Sequence, residues 1–167
     1  RMYNQGKGYR PVEVIPLFQG GSFNENYNDR EPMEVSVPSG AAHVELRAII
    51  TGHGADSRSC AEFCRHGHEF QVEDYSWEHT YDVAGTALGC ADAVNDGVVP
   101  NQWGTWWFGR GGWCPGQRVD PWVLDVTDDV TPGSDATVFY QGSLNGGDPP
   151  SGGGGNILMN SWLVVYE

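Results

Sequence analysis

The 167-residue sequence predicts an all-β fold, an antiparallel β-sandwich of the eight-stranded jelly-roll type with long loops tied by disulfide bonds. Short segments in which apolar and polar residues alternate recur along the chain, and clusters of Gly, Pro and Asn separate them. The sequence contains no amphipathic helical pattern and no internal repeat. Together these observations are typical of a sandwich built from many short strands.

Seven segments carry the strand pattern. They are residues 12–18, 33–37, 43–50, 69–73, 121–126, 136–140 and 157–166. The third is the clearest, because every second residue from Val44 to Ile50 is apolar and therefore falls on one face of an extended chain. Pro16 has no backbone N–H, so the first strand is expected at the edge of a sheet or at the end of a ladder.

The other residues are predicted to form loops and a tail. Residues 1–10 have no hydrophobic period and are interpreted as a linker or tail, so residues 11–167 form the domain. The longest irregular stretch, residues 80–116, is rich in Gly, Asn, Pro and Trp, and Cys114 offers it a covalent anchor. Residues 146–155 form a glycine-rich loop.

The charge of the chain argues against two classes of partner. Nine Lys and Arg residues stand against 22 Asp and Glu residues, which gives a formal net charge of −13. Such a surface repels phosphate groups, so nucleic acids and anionic membranes are poor partners. The sequence also lacks an apolar run of about eighteen residues, and no membrane span is expected.

The four cysteines indicate an oxidising compartment. An even number of cysteines in a chain this poor in lysine is typical of secreted, periplasmic or cell-surface proteins, in which the thiols are usually paired. Of the three possible pairings we favour Cys60 with Cys64 and Cys90 with Cys114. The second bond would contribute roughly 3 kcal/mol by closing a long loop. Neither pair has the spacing of a zinc site.

Polar chemistry is concentrated in residues 51–68. A Cys60–Cys64 disulfide would pinch the backbone into a tight loop and hold the carboxylate of Glu62 in a fixed position at its apex. A disulfide that only stabilises the loop, with Glu62 facing solvent, explains the same pattern. His66 and His68 are two residues apart, so in a strand they point to one face, where they either hold a metal ion or take part in hydrogen bonds.

A second cluster combines tryptophans with a single arginine. Four tryptophans lie within eleven residues, and Arg110 stands among them. Indole rings stack on sugar faces or cover a hydrophobic core, and a guanidinium suits a carboxylate or a ligand hydroxyl. The four tryptophans are Trp103, Trp106, Trp107 and Trp113.

These motifs together resemble a known family. The strings ITGHG, SCAEFC, LGC and PNQWGTWWFGRGGWCPG, followed by VLDVT, are similar to the C-terminal jelly-roll domain of the bacterial peptide-N-glycosidase F family. The resemblance runs from about residue 10 to residue 166 and is densest between residues 49 and 126. The copper-dependent peptidylglycine hydroxylating monooxygenases resemble the chain in architecture only.

The resemblance implies roles for individual residues. Family members cleave the amide bond between asparagine and the first N-acetylglucosamine of an N-glycan, in a cleft between two jelly-roll domains. Glu62 matches the acidic residue of the disulfide loop that contacts substrate in that cleft, and Arg110 matches the arginine before Gly-Trp-Cys-Pro-Gly, so both are candidate catalytic residues. His53 stands where the glycosidase has an aromatic side chain. The same disulfide pairing is implied. The principal catalytic aspartate belongs to an N-terminal domain that these residues do not include, so this chain by itself is expected to be inactive and at most part of an amidase.

Two hypotheses for the function need no cofactor. In the first, the chain is the glycan-directed domain of a secreted peptide-N-glycosidase F-like protein, an amidase half-site or a glycan-binding domain. It then binds an N-glycan or glycopeptide through Glu62, Arg110, His53 and the four tryptophans, and meets a further jelly-roll domain of the same parent protein. In the second, it is a structural or adhesive module of a secreted or surface multidomain protein.

The third hypothesis is a copper site like that of the monooxygenases. Copper enzymes of related architecture hold one copper ion through two histidines in His-x-His spacing and a methionine. In this sequence His66 and His68 have that spacing, and Met159 on the last predicted strand is the candidate third ligand.

Overall fold

Among the residues that the structure describes, eight strands build the domain. The computed structural model describes residues 8–54, 60–101, 103–152 and 155–167, so most of the predicted tail lies outside the described residues. Two short 3₁₀ helices, Ala91–Asp96 and Thr127–Asp129, lie in the connections. The strands are β1 Pro11–Ser22, β2 Met33–Ser36, β3 His43–His53, β4 His66–Val72, β5 Tyr75–Thr80, β6 Trp122–Asp125, β7 Asp135–Leu144 and β8 Asn156–Tyr166.

The strands form two four-stranded antiparallel sheets. One has the order β1-β8-β3-β6 and the other has the order β2-β7-β4-β5. Consecutive strands alternate between the sheets, apart from the β4–β5 hairpin, which is the arrangement of a jelly roll. The predicted fold class is therefore confirmed. Pro16 lies on β1, which is an edge strand, as its missing N–H requires.

The hydrophobic core lies between the two sheets. On β3 the apolar residues that alternate from Val44 to Ile50 are buried, as their spacing predicts. They belong to one cluster with Phe70 of β4, Val138 of β7 and Leu163 of β8. The core thus fixes which residues of β3 and β4 face inward, and both strands lead into the site described below.

Strand β5 is not predicted from the sequence. It pairs with β4 through a two-residue turn at Glu73 and Asp74, in which Glu73 has a positive φ of 50°. Hairpin turns of this kind usually carry Asn or Gly, so the Glu73-Asp74 pair does not predict a hairpin. The strand lies at a sheet edge and none of its residues is buried, so its burial does not alternate.

Both favoured disulfide bonds are present. Cys60 and Cys64 are joined with their Cα atoms 4.6 Å apart, and Cys90 and Cys114 with theirs 5.6 Å apart. The second bond ties the long connection between β5 and β6 and forms the centre of a small separate cluster with Val98. Among the described residues, no helix is long and apolar enough to span a bilayer.

Candidate functional site

Three chain segments meet at one end of the sandwich. They are the end of β3, the Cys60–Cys64 loop and the segment that follows Arg110. Backbone hydrogen bonds join them: Gly52 N–H donates to the Gly111 carbonyl over 2.8 Å, and Gly111 N–H donates to the Glu62 carbonyl over 2.9 Å. Residues far apart in the sequence are therefore held together by main-chain contacts.

An ion pair between Glu62 and Arg110 occupies this junction. Arg110 Nε donates to Glu62 Oε1 over 2.8 Å, and the N–H of Gly54 donates to Glu62 Oε2 over 3.0 Å. The two terminal nitrogens of Arg110 donate to Thr105, at 3.1 Å to its carbonyl and 3.3 Å to its hydroxyl. The arginine side chain is 1% exposed and the glutamate side chain 17%. The carboxylate is thus the member of the pair that is open to a ligand.

Aromatic rings enclose the guanidinium of Arg110. Its central carbon lies 4.9 Å from the ring centre of Phe63 and 4.8 Å from that of Trp113. Trp113 also donates its indole N–H to the carbonyl of Gly52 over 2.9 Å, and His53 stacks on it with ring centres 5.1 Å apart. Cation–π contacts of this kind hold a guanidinium in one orientation. The structure therefore brings four of the predicted site residues together.

The other three tryptophans lie outside this cluster. Trp106 packs against the Cys90–Cys114 cluster, and Trp107 contacts Trp106 and Phe108 edge-on, with ring centres 6.0 and 5.5 Å apart. Trp103 is fully exposed. Trp106 and Trp107 thus take part in packing on this side of the domain, whereas Trp103 is free to meet a ligand.

An open recess of about 430 Å³ lies beside the ion pair. Its walls include Phe63, Thr86, Thr105 and Phe108 and are mainly apolar. Phe63, Thr105 and Phe108 are not among the residues predicted from the sequence. The position of Phe63 between the two cysteines was a usable indication, since a residue next to Glu62 in a constrained loop must lie near it. Thr105 gives no such indication.

The two histidines of β4 both point into the core, on one face of the strand as expected. His66 Nδ1 lies 2.7 Å from His68 Nε2, and His68 Nδ1 lies 2.7 Å from the hydroxyl of Tyr140. Burial is the main cause that lowers the pKa of His66, to about 4, and that of His68 well below 6.5. Both rings are therefore neutral at pH 7.

This arrangement does not fit a copper ion bound by both histidines. Three of the four ring nitrogens are taken up by hydrogen bonds within the protein, and the rings face each other instead of a shared ligand position. Met159 is buried on β8, in the other sheet. Within the part of the chain that the structure describes, no three His, Cys, Asp or Glu side chains are grouped as a metal site. Copper binding stays a prediction for metal analysis to test.

Two solved structures illustrate the likeness in fold. The structure of PNGase F, a glycosylasparaginase from Flavobacterium meningosepticum, matches with a TM-score of 0.72 and 21% identity over 96% of this chain and 53% of that one. PNGF-II matches with a TM-score of 0.64 and 17% identity, over 93% of this chain and 30% of that one. At these identities the likeness concerns the fold.

Sequence comparisons identify the family. The peptide-N(4)-(N-acetyl-beta-D-glucosaminyl)asparagine amidase F of Elizabethkingia miricola is 29% identical over 149 residues, which cover 80% of this chain and 39% of the relative. The chain thus spans less than half of that protein. The family described as peptide-N-glycosidase F, C terminal, matches residues 22–164. This chain therefore belongs to the family of peptide-N-glycosidase F C-terminal domains.

Proposed function

We propose that this domain is the glycan-directed part of a secreted peptide-N-glycosidase F-like protein, and that Glu62 is its ligand-contacting carboxylate. The observation that carries the proposal is the asymmetry of the Glu62–Arg110 pair: the arginine is enclosed, and the carboxylate it holds is partly open. The name of the Elizabethkingia miricola relative, an asparagine amidase that acts at N-acetylglucosamine, supplies the substrate class. The ligand is thus an N-glycan or glycopeptide.

The chemistry of the pair suits a neutral, hydroxyl-rich ligand. A carboxylate accepts hydrogen bonds from hydroxyl and amide N–H groups, and a fixed one loses little conformational freedom on binding. Arg110 holds one carboxylate oxygen and Gly54 the other, so the remaining lone pairs have set directions. The apolar recess bounded by Phe63 and Phe108 offers a surface for the less polar side of the ligand.

Amide hydrolysis needs more than this site provides. One group must activate water and another must stabilise the leaving nitrogen, and the two groups act from different sides of the bond. Glu62 with Arg110 supplies one such side. We therefore expect the isolated chain to bind a glycopeptide without releasing its glycan, and we place cleavage in a parent protein that contributes a second domain. Release of the glycan by the isolated chain would contradict the proposal that this domain supplies only half of an amidase site.

The disulfide bonds support a location outside the cytosol. Such bonds form and persist in oxidising compartments, and both pairs of cysteines are joined here. We propose that the protein is secreted, periplasmic or displayed on the cell surface, where glycoproteins are accessible to it.

The test is binding of chitobiose and of an N-acetylglucosamine-bearing glycopeptide, measured by calorimetry. Glu62→Gln keeps an acceptor for Arg110 but removes the charge, and it should weaken binding about tenfold or more. Glu78→Gln, at an exposed position on β5, is the matched control and should leave affinity unchanged. Metal content is read on the same sample.

The outcomes separate the three hypotheses. Binding that Glu62→Gln weakens and Glu78→Gln does not supports the glycan-directed function. Absence of binding with no metal overturns it and leaves a disulfide-stabilised structural module. Stoichiometric copper in a sample that does not bind the glycopeptide overturns it in favour of the metal site.

A further inference from the structure

Four buried polar side chains form a continuous line of hydrogen bonds across the core. Tyr27 Oη lies 2.7 Å from Tyr140 Oη, which lies 2.7 Å from His68 Nδ1. His68 Nε2 in turn lies 2.7 Å from His66 Nδ1. None of the four residues is more than 3% exposed. The line begins after β1 and ends behind the site, since His66 is the first residue of β4 and follows the Cys60–Cys64 loop.

The end of the line faces the backbone that carries Glu62. His66 Nε2 has no partner in full hydrogen-bond geometry among the described residues. The carbonyl oxygen of Ala61 is close by, because a Cβ built on Gly52 would meet that oxygen at 1.6 Å and His66 Nε2 at 2.7 Å. The Ala61 backbone also raises the pKa of His66, against the larger lowering by burial, as an acceptor beside the nitrogen does.

This geometry selects one direction for the protons. If His66 Nε2 were unprotonated, its lone pair would face the lone pairs of the Ala61 carbonyl at a site closed to water. With the proton on Nε2, an N–H faces an acceptor instead, and Nδ1 must then accept. His68 therefore donates from Nε2 and accepts at Nδ1, so the Tyr140 hydroxyl donates to it and the Tyr27 hydroxyl donates to Tyr140.

Glycines allow the ring to approach this closely. A Cβ on Gly111 would lie only 1.9 Å from His66 Nε2, so the edge of the imidazole rests on bare backbone. Gly52 and Gly111 are also hydrogen-bonded to each other, and Gly111 N–H donates to the Glu62 carbonyl. The ring of His66 is thus enclosed by the three segments that build the site.

We infer that His66 is a positioning residue for the Glu62–Arg110 site, and that the directed line from Tyr27 sets its Nε2–H against the Ala61 carbonyl. Ala61 precedes Glu62 in the disulfide loop. An imidazole held against the Ala61 peptide therefore fixes the position of the backbone that carries the Glu62 carboxylate. The ring is neutral and buried and does not touch the ligand. The inference rests on the proposed function only where it concerns ligand binding.

A histidine that merely fills the core would behave differently. Replacing it would lower global stability, and the loop would become less ordered only in proportion to that change in stability. A positioning residue adds an effect on the loop that exceeds the change in global stability. The experiments therefore measure the loop and the core separately.

The first experiment reads the protons directly. Long-range nitrogen–proton NMR spectra of the histidine rings distinguish the two neutral tautomers. We expect both His66 and His68 to carry the proton on Nε2 at pH 7. A proton on Nδ1 of His66, or a charged ring there, overturns the inference without reference to any ligand.

The second experiment measures hydrogen exchange of the Gly111 amide relative to that of Leu163 in the core, a ratio that corrects for global stability. His66→Asn, which is too short to reach Ala61, should raise the ratio about tenfold. His66→Gln, whose amide nitrogen reaches the position of Nε2, should restore most of it. Val138→Ala, a core substitution outside the line, should leave it unchanged.

Tyr140→Phe gives a second route if His66→Asn does not fold. It removes the donor to His68 and keeps the ring, and it should raise the Gly111 ratio in the same direction. Equal ratios in Tyr140→Phe, His66→Gln and Val138→Ala, with no excess in His66→Asn, would reduce the line to core packing and overturn the inference.

Ligand affinity completes the set. If the glycopeptide binds, His66→Asn should lower its affinity by a factor close to the rise in the Gly111 ratio. The affinity of the His66→Gln variant should lie within about threefold of that of the unmodified chain. If the unmodified chain does not bind, the proposed function fails, while the tautomers and the exchange ratio still decide the role of His66.

Discussion

Arg110 lies beneath Glu62, with its Nε 2.8 Å from the carboxylate oxygen Oε1, and only the glutamate of the pair reaches solvent. A guanidinium enclosed in this way cannot lose its charge and therefore depends on its partners. Glu62, Thr105 and two aromatic rings supply them. The pair therefore contributes to the stability of the domain and also belongs to its candidate site.

Replacing Arg110 should cost stability as well as binding. Arg110→Met fills similar volume but leaves Glu62 without its cation, and we expect the free energy of unfolding to fall by about 2 to 3 kcal/mol. Urea denaturation measures it. Arg118→Met is the control, because Arg118 and Asp120 form an exposed pair, and it should change stability by less than about 0.5 kcal/mol. Equal effects of the two substitutions would contradict an energetically important site pair.

The two disulfide bonds should rank in opposite order for stability and for binding. Removing Cys90–Cys114, which encloses the longer loop, should cost about 3.5 kcal/mol, and removing Cys60–Cys64 about 2 kcal/mol. Only the Cys60–Cys64 bond constrains Glu62, so its loss should weaken glycopeptide binding more than the loss of Cys90–Cys114 does. Paired Cys→Ser variants, unfolded with urea and titrated with ligand, check both. If removing Cys90–Cys114 weakened binding more than removing Cys60–Cys64, the Cys60–Cys64 loop would not be part of the binding site.

A methyl group on Gly111 should disrupt the junction. Its Cβ would lie 1.9 Å from His66 Nε2, so Gly111→Ala must displace either the ring or the backbone, at a cost of about 3 kcal/mol or more. Gly21→Ala is the matched control, because nothing lies within 4 Å of its Cβ and its φ is not positive. Thermal unfolding of both variants tests this, and similar midpoints would show that the ring is not confined.

Stability should decrease as the pH falls below about 6.5. Burial lowers the pKa of His66 to about 4 and that of His68 well below 6.5, so just below pH 6.5 the unfolded chain binds more protons than the folded one. Their contribution is complete above pH 6.5 and is lost on acidification, by up to about 1.4 kcal/mol per pH unit for each histidine.

Urea denaturation at pH 7, 6 and 5 measures this dependence. The charge of His79 lowers the pKa of both histidines, and Asp82 raises the pKa of His79, so the comparison is made with His66→Gln, which has no titrating ring at that position. The variant should show a shallower dependence than the unmodified chain. An identical dependence would mean that His66 is not buried as a neutral ring.

Much of the fold could be predicted from the sequence, because burial on one face imposes alternation. Strand β3 shows this most clearly, since every inward residue from Val44 to Ile50 is apolar. Strand β5 could not be found this way. It is an edge strand with little buried surface, and its Glu73-Asp74 turn lacks the residues that mark hairpins.

The candidate site was only partly predictable. Glu62 stood out because two cysteines constrain it, and Arg110 because it is a lone cation among tryptophans. The line from Tyr27 through Tyr140 to the histidines could not be foreseen, since the two tyrosines are separated by 113 positions and meet only when the sandwich closes. Local pattern gives no information on such partners.

The ladder between β3 and β8 pairs eleven residues in unbroken register, from His43 with Tyr166 to His53 with Asn156. Gly52 lies one step from its end, where a Cβ would collide with the Ala61 oxygen. A slip of the ladder by one residue would bring Thr51 or His53 to this place, and neither fits. Only the native register of β3 and β8 therefore places a glycine beside the Ala61 oxygen. Gly52 thus couples the alignment of the two strands to the assembly of the site.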